Sequence, residues 1–251
     1  MSSRHRKLDA VVSRLQLQYG PRALRRAPAP EMQDSPARLS TTFPALDVAL
    51  SDGERTPGGI PSGRLTELSG PATSGKVTLA AKVLAAAHAE RGALVAWVDL
   101  GRTCDPDYFQ RCGLDLDRLL VVRPEDGLDA LAITLHLVES NTLAGLVFDS
   151  LSDLPPRHDS HIAGLLERLA TVVVRTKTAV LFLAEERAEG QPLAHLAALR
   201  LHLTRERWLT EHGDVRGYEA QVEILKHRHG RSGARIPIRI IFNGTVRGDG
   251  L

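Results

Sequence analysis

The run RLTELS at residues 64–69 leads straight into GPATSGK, and that loop opens the alanine-rich stretch VTLAAKVLAAA. A strand, a G-x-x-x-x-G-K loop and a helix in this order constrain the fold more than any other feature. The loop works only when its backbone N–H groups, at a helix N-terminus, can surround a phosphate. Gly70, Ser74, Gly75 and Lys76 supply that pattern, with Lys76 placed for the terminal phosphates. The next position calls for a hydroxyl that holds magnesium, and Val77 stands there instead. Thr78 does not repair the loss, because successive helical side chains point about 100° apart. The loop therefore predicts a phosphate site short of one metal ligand; the plain alternative is a Gly/Ser turn followed by a surface lysine.

From Arg64 onward, short apolar runs alternate with helical patterns, the rhythm of a mainly parallel sheet covered on both faces by helices. Strands are predicted in RLTELSG, ALVAWVDL from Ala93, AGLVFDS from Ala144 and TAVLFLAE from Thr178, with LLVVRP from Leu119 as a fifth. Helices are predicted over about residues 76–91, 129–139 and 161–176. Past Ala197, ALRLHLTRERW, YEAQVEILKHRH and IPIRIIFNG are β-rich and joined by turn formers, which predicts an antiparallel extension at the sheet edge. The fold class is thus α/β: a P-loop core with a mainly parallel twisted sheet, helices on both faces and an antiparallel β extension at the C-terminal end. LVFDS ends an apolar strand on Asp149, where a carboxylate can face a loop-bound metal. Capping would explain Asp149 alone; the loop upstream makes it the second half of a nucleotide site.

With 251 residues and 43% hydrophobic content the chain can bury one sizeable core. A formal charge of only +2 advertises no global nucleic-acid field. Cys104 and Cys112 are too few for a disulfide framework and lack zinc-site spacing, so reduced thiols in a cytoplasmic protein are expected. No apolar run reaches membrane-spanning length. Leu8, Val11, Val12, Leu15 and Tyr19 share one face at helical spacing, predicting an N-terminal amphipathic arm over residues 1–20. Residues 21–38, rich in proline and charge, read as a linker to a core over residues 39–251. His158 and His161 make at most half a metal site, so no metal centre is expected.

In order along the chain, these segments resemble the RecA-type recombinases over almost its whole length. KLDAVVSRLQLQYG resembles the family's N-terminal polymerisation helix, GGIPSGRLTELSGPATSGK its first strand and loop, and VDLGRTCDPDYFQRCGLDLDRLLVVRP the strand, helix and strand that follow. LVFDS, YEAQVEILKHRHG and IIFNGTVRGDGL continue the match. The resemblance implies a RecA-like core that ends where the family's core domain ends, with no separate C-terminal domain. It implies ATP or ADP with Mg as cofactor, held weakly or not at all. Asp105 and Tyr108 match positions that pack on adenine. Lys226 and Arg228 match a basic pair that reaches a neighbouring subunit's nucleotide, although an exposed basic hairpin would read the same way.

The departures fall on catalysis and DNA contact. Gly101 stands where the resemblance places the family's water-activating Glu; Asp99 shares that strand face, but its carboxylate sits a full two-residue step away. Glu185 replaces a polar Gln sensor, and a carboxylate there repels phosphate. The two DNA-loop segments are short, leaving Arg157 and Arg187 as residual basic groups. This pattern of loss resembles the ImuA-type accessory proteins, degenerate RecA-like members of the mutagenic translesion-synthesis machinery. It implies a non-hydrolysing interaction protein of the DNA-damage (SOS) response whose partners are RecA and a polymerase-related protein of ImuB type, with weak or no direct DNA binding. The alternatives are an ATP-dependent, single-stranded-DNA-stimulated recombinase or recombination mediator, with Asp99 acting as base, and a small-molecule kinase, for which no lid is recognisable.

Overall fold

Alternation along each strand sorts the core into two layers. In β4 (Leu94–Asp99) Val95 and Trp97 point to one side, Ala96 and Val98 to the other. The same two-residue period divides β6 (Leu143–Asp149) and β7 (Ala179–Ala184), both buried on both faces as strands under helices must be. The chain is seen in a computed structural model that describes residues 11–15, 17–18, 20, 37–51, 58–154, 160–185, 192–242 and 246–249.

The chain divides into two compact units, Met1–Ser35 and Pro36–Leu251. In the first, residues 11–15 and 17–18 are helical, with Val12 and Leu15 partly buried and Val11 exposed; Leu8, Tyr19 and nearly all of the expected linker lie outside the described residues. In the second, β1 (Arg38–Leu39) pairs antiparallel with β2 (Ile60–Pro61), flanking the short helix α1 (Pro44–Ala49). The main sheet adds β3 (Leu65–Ser69), β5 (Leu119–Val122), β8 (Leu199–Glu211), β9 (Asp214–His227), β10 (Arg235–Phe242) and β11 (Val246–Asp249). Its order is β11-β10-β9-β8-β3-β7-β6-β4-β5. Pairing is parallel from β8 through β3 to β5 and antiparallel from β8 to β11. The β8–β9 hairpin turns through His212 and Gly213, both at positive φ, the conformation a two-residue hairpin loop needs.

Helix α2 (Lys76–Arg91) and the short α3 (Pro106–Arg111) cover one face; α4 (Gly127–Glu139) and α5 (Ser160–Val173) cover the other. The five strands and three long helices fall where the sequence pattern places them. Helix α4 starts two residues earlier than its periodicity suggests, because the Asp126 carboxylate accepts from Leu128 N and Asp129 N. Helix α5 stops at Val173, where Thr176 returns both its N–H and its hydroxyl to the Val173 carbonyl. The last helix, α6 (Pro192–Leu196), leads into β8.

A buried ion pair ties β3 to β8: Arg200 Nε and Nη2 donate to the two carboxylate oxygens of Glu67 at 2.7 and 3.2 Å. Glu67 is fully buried. Removing the guanidinium takes two charge-assisted hydrogen bonds from a buried carboxylate, so Arg200→Ala is expected to lower stability by about 1.5–3 kcal/mol in urea unfolding. A loss below about 1 kcal/mol would show that the pair is dispensable.

Candidate nucleotide-binding site

The loop between β3 and α2 is shaped by two glycines. Gly70 lies at φ +154, and a side chain there would run into the Leu203 carbonyl of β8. Gly75 caps α2 at φ +103, and a Cβ there would meet Ile240 Cδ1 at 3.0 Å and the Tyr218 hydroxyl at 3.1 Å. Both positions need left-handed backbone and close approach, which only glycine provides without strain. The α2 N-terminus thereby opens onto the loop with its N–H groups available for an anion.

Lys76 folds back into the loop, its Nζ donating to the carbonyls of Gly70 at 3.0 Å and Pro71 at 3.3 Å. Burial pulls the ammonium below its usual range, and the nearby Glu185 and Asp149 carboxylates oppose that shift. Ser74 Oγ is fully buried and has no hydrogen-bond partner. These features fit a phosphate: an orphaned hydroxyl, a helix start and a lysine whose hydrogen bonds go to neutral carbonyls. The metal side fits poorly. Val77 packs against the core, and the Thr78 hydroxyl meets the Tyr108 hydroxyl at 2.5 Å and that of Tyr218 at 3.5 Å.

Tyr108 stands beside the loop helix, its hydroxyl committed to Thr78. Asp105 is exposed and caps α3 by accepting from Tyr108 N at 3.2 Å. Both thiols are free, and burial pushes Cys104 and Cys112 up to about 11, so they stay protonated at neutral pH.

The structure corrects the expectation that Asp99 can replace the missing base. Its Oδ1 accepts from Thr103 N at 2.7 Å and Cys104 N at 3.2 Å, and its Oδ2 accepts from Arg123 Nε at 3.0 Å. A fully buried carboxylate held by three donors is a structural anchor. A Cβ on Gly101 would instead face Asp153 Oδ2 at 3.3 Å, and that oxygen accepts from Ser150 Oγ. Lys226 also has a local role: its Nζ donates to the Ala194 and His195 carbonyls and caps α6, while Arg228 is exposed. Glu185 is exposed, and its N–H donates to Ser152 Oγ. Arg157, His158 and Arg187 lie outside the described residues; among those described, no cluster of His, Cys, Asp or Glu is placed to hold a metal.

Two residues that sequence reasoning missed belong to this site. Arg205 Nη1 donates to Thr73 Oγ1 of the loop at 2.7 Å, and Tyr218 lies under Gly75. Only the run of arginines around Trp208 signals the first, and nothing in the pattern signals the second.

Sheet, loop and helix together define an α/β domain of the P-loop class. A model of the RecA N-terminal domain matches residues 6–170. Protein RecA of Streptomyces venezuelae is 32% identical over 255 residues, covering 90% of this chain and 65% of that protein. Protein RecA of Pseudomonas putida is 33% identical, covering 90% of this chain and 69% of its own length. The chain belongs to the RecA family, and it spans less than two thirds of the Streptomyces protein. Its fold is similar to the crystal structure of the RadB recombinase, with TM-score 0.63 and 22% identity over 85% of this chain and 99% of that one. A KaiC-like protein of Pyrococcus horikoshii has TM-score 0.59 and 19% identity over 82% and 99%. No helix among the described residues is long and apolar enough to cross a membrane.

Burial, then the Asp99 carboxylate, lifts Asp149 to about 6 from an ordinary 3.8, with Lys76 opposing. The folded chain thus holds this proton more tightly than the unfolded one. The resulting stabilisation is complete below the ordinary value and is lost as pH rises through about 6. Asp149→Asn is expected to flatten the fall in stability across that window, read from urea unfolding at a series of pH values. An unchanged profile would mean that Asp149 titrates as an ordinary carboxylate.

Proposed function

We propose that this RecA-family chain is a non-hydrolysing accessory protein of DNA-damage-induced mutagenic translesion synthesis, of ImuA type, that binds RecA and a polymerase-related partner of ImuB type. The observation that carries the reading is the commitment of Asp99 to Thr103, Cys104 and Arg123 beside a glycine at position 101. A positioned base contributes on the order of 100- to 10,000-fold in rate, and the strand end supplies none. Val77 withholds the metal hydroxyl as well.

An open sheet edge supports a role in protein contact. Among the described residues β5 is the last strand on its side, with Leu120 46% and Val121 36% exposed. Leu116 and exposed Leu94 of the adjacent β4 add to the apolar surface. Natural edges are usually blunted by charge or cover, so an apolar edge invites strand addition from a partner. The helix bearing Val11, Val12 and Leu15 would provide a complementary arm for a neighbouring RecA fold.

A second reading, the ATP-dependent and single-stranded-DNA-stimulated recombinase or mediator, draws on Asp153, the carboxylate nearest to position 101. Phosphate release separates the two. The purified chain is expected to release phosphate from ATP at background rate, with or without single-stranded DNA, and Lys76→Ala to change nothing. DNA-stimulated release lost in Lys76→Ala would install the second reading. For the edge, Leu120→Glu combined with Val121→Glu is expected to weaken RecA binding about tenfold or more by calorimetry, with the melting temperature retained. Equal affinity would remove β5 from the interface.

A further inference from the structure

Arg205 leaves β8 at a defect in its pairing. Arg205 is opposite Ala220 and Arg207 is opposite Glu219, so Glu206 is an extra residue, and Trp208 falls opposite Tyr218. A bulge of this kind re-aims the side chains that follow it. In a regular strand Arg205 and Arg207 would share one face and Trp208 would take the other. With the bulge, Arg205 and Trp208 share the face of Leu203, Ala220 and Tyr218, which packs in the same core layer as α2. Arg207 turns to the opposite face, where it pairs with Glu219.

On the loop side the Arg205 guanidinium lies 4.2 Å over the Trp208 ring, and Trp208 stands edge-on to Tyr218 with centroids 5.7 Å apart. Trp208 and Thr73 Oγ1 thus hold a permanently charged group at the rim of the loop. A guanidinium carries several N–H donors, and the bond to Thr73 uses one of them. Inside the same loop, Ser74 Oγ is buried without a partner, and Lys76 hydrogen-bonds to two loop carbonyls with the Glu185 and Asp149 carboxylates nearby. Cations and an orphaned hydroxyl around one helix start call for a phosphate rather than for further protein.

We propose that Arg205 is a phosphate ligand supplied by the chain to its own loop. When a nucleoside triphosphate occupies the loop, the guanidinium passes from Thr73 Oγ1 to oxygens of the terminal phosphate. Together with Lys76 it provides the positive charge that a metal ion unsupported at Val77 supplies less firmly. Binding then depends more on Arg205 than on the divalent cation. The inference concerns how the loop holds nucleotide and is independent of which proteins the chain meets.

Calorimetric titration of the full chain with a non-hydrolysable ATP analogue, in magnesium and in EDTA, tests it. The parent is expected to bind in both, with only a few-fold loss in EDTA. Arg205→Ala is expected to lose about 10- to 100-fold in both, the range for one hydrogen bond to a charged group. Arg205→Lys, which keeps the charge without the fork, recovers part of that loss. Trp208→Leu falls between parent and Arg205→Ala. Arg205 is exposed, so thermal melts of its variants should match the parent. Parent-like affinity in Arg205→Ala would overturn the proposal, and tighter binding would make Arg205 a latch that holds the loop shut. An analogue that fails to bind the parent would refute it too, while leaving the proposed protein partners untouched.

Discussion

The phosphate loop closes against the antiparallel extension because Gly70 and Gly75 carry no side chains. Leu203 fills the space beside one, and Tyr218 and Ile240 fill the space beside the other. This contact joins the two halves of the sheet: the parallel core supplies the loop and α2, and strands β8, β9 and β10 form the wall behind them. Once the wall is in place, the loop's neighbours are set. Thr78 meets the Tyr218 hydroxyl, and Thr73 meets Arg205. The extension is therefore part of the candidate site as well as cover for a sheet edge.

At the C-terminal ends of β4, β6 and β7 lies a group of carboxylates with divided roles. Asp99 is saturated by two backbone N–H groups and an arginine, and it holds the turn after β4 in place. Asp149, one strand over and directly opposite in register, keeps its proton to about pH 6 because it is buried next to that charge. Glu185 adds negative charge near Lys76. A phosphate entering the loop would meet Lys76 and the helix start on one side and these carboxylates on the other. That balance is why a further cation at the rim has consequences for binding.

Much of the site was legible because it is local. Strand, loop and helix are contiguous from Leu65 to Arg91, so Lys76 and the missing hydroxyl at Val77 follow from spacing alone. Asp149 followed from its place at the end of an apolar strand. Asp99 did not: period-two alternation put it on the correct face, but its three donors come from a turn and from Arg123, 24 residues on. For Lys226 the sequence leaves open a reach toward a neighbour or an exposed basic hairpin, and neither pattern signals its bonds within the chain to α6, 31 and 32 residues back.

The order of residues by itself determined the α/β class, the buried parallel strands, the loop and the departures at Val77 and Gly101, since each depends on periodicity or on short spacing. Tertiary structure alone decided that Arg205 serves the loop. Alternation in TRERW pairs Arg205 with Arg207 on one face, and only the cross-strand register with β9, set by packing of Tyr218 and Ala220 in the core, places the bulge that separates them. A one-residue slip in register moves a side chain from one face of a sheet to the other, and register is a property of the partner strand as much as of the strand itself.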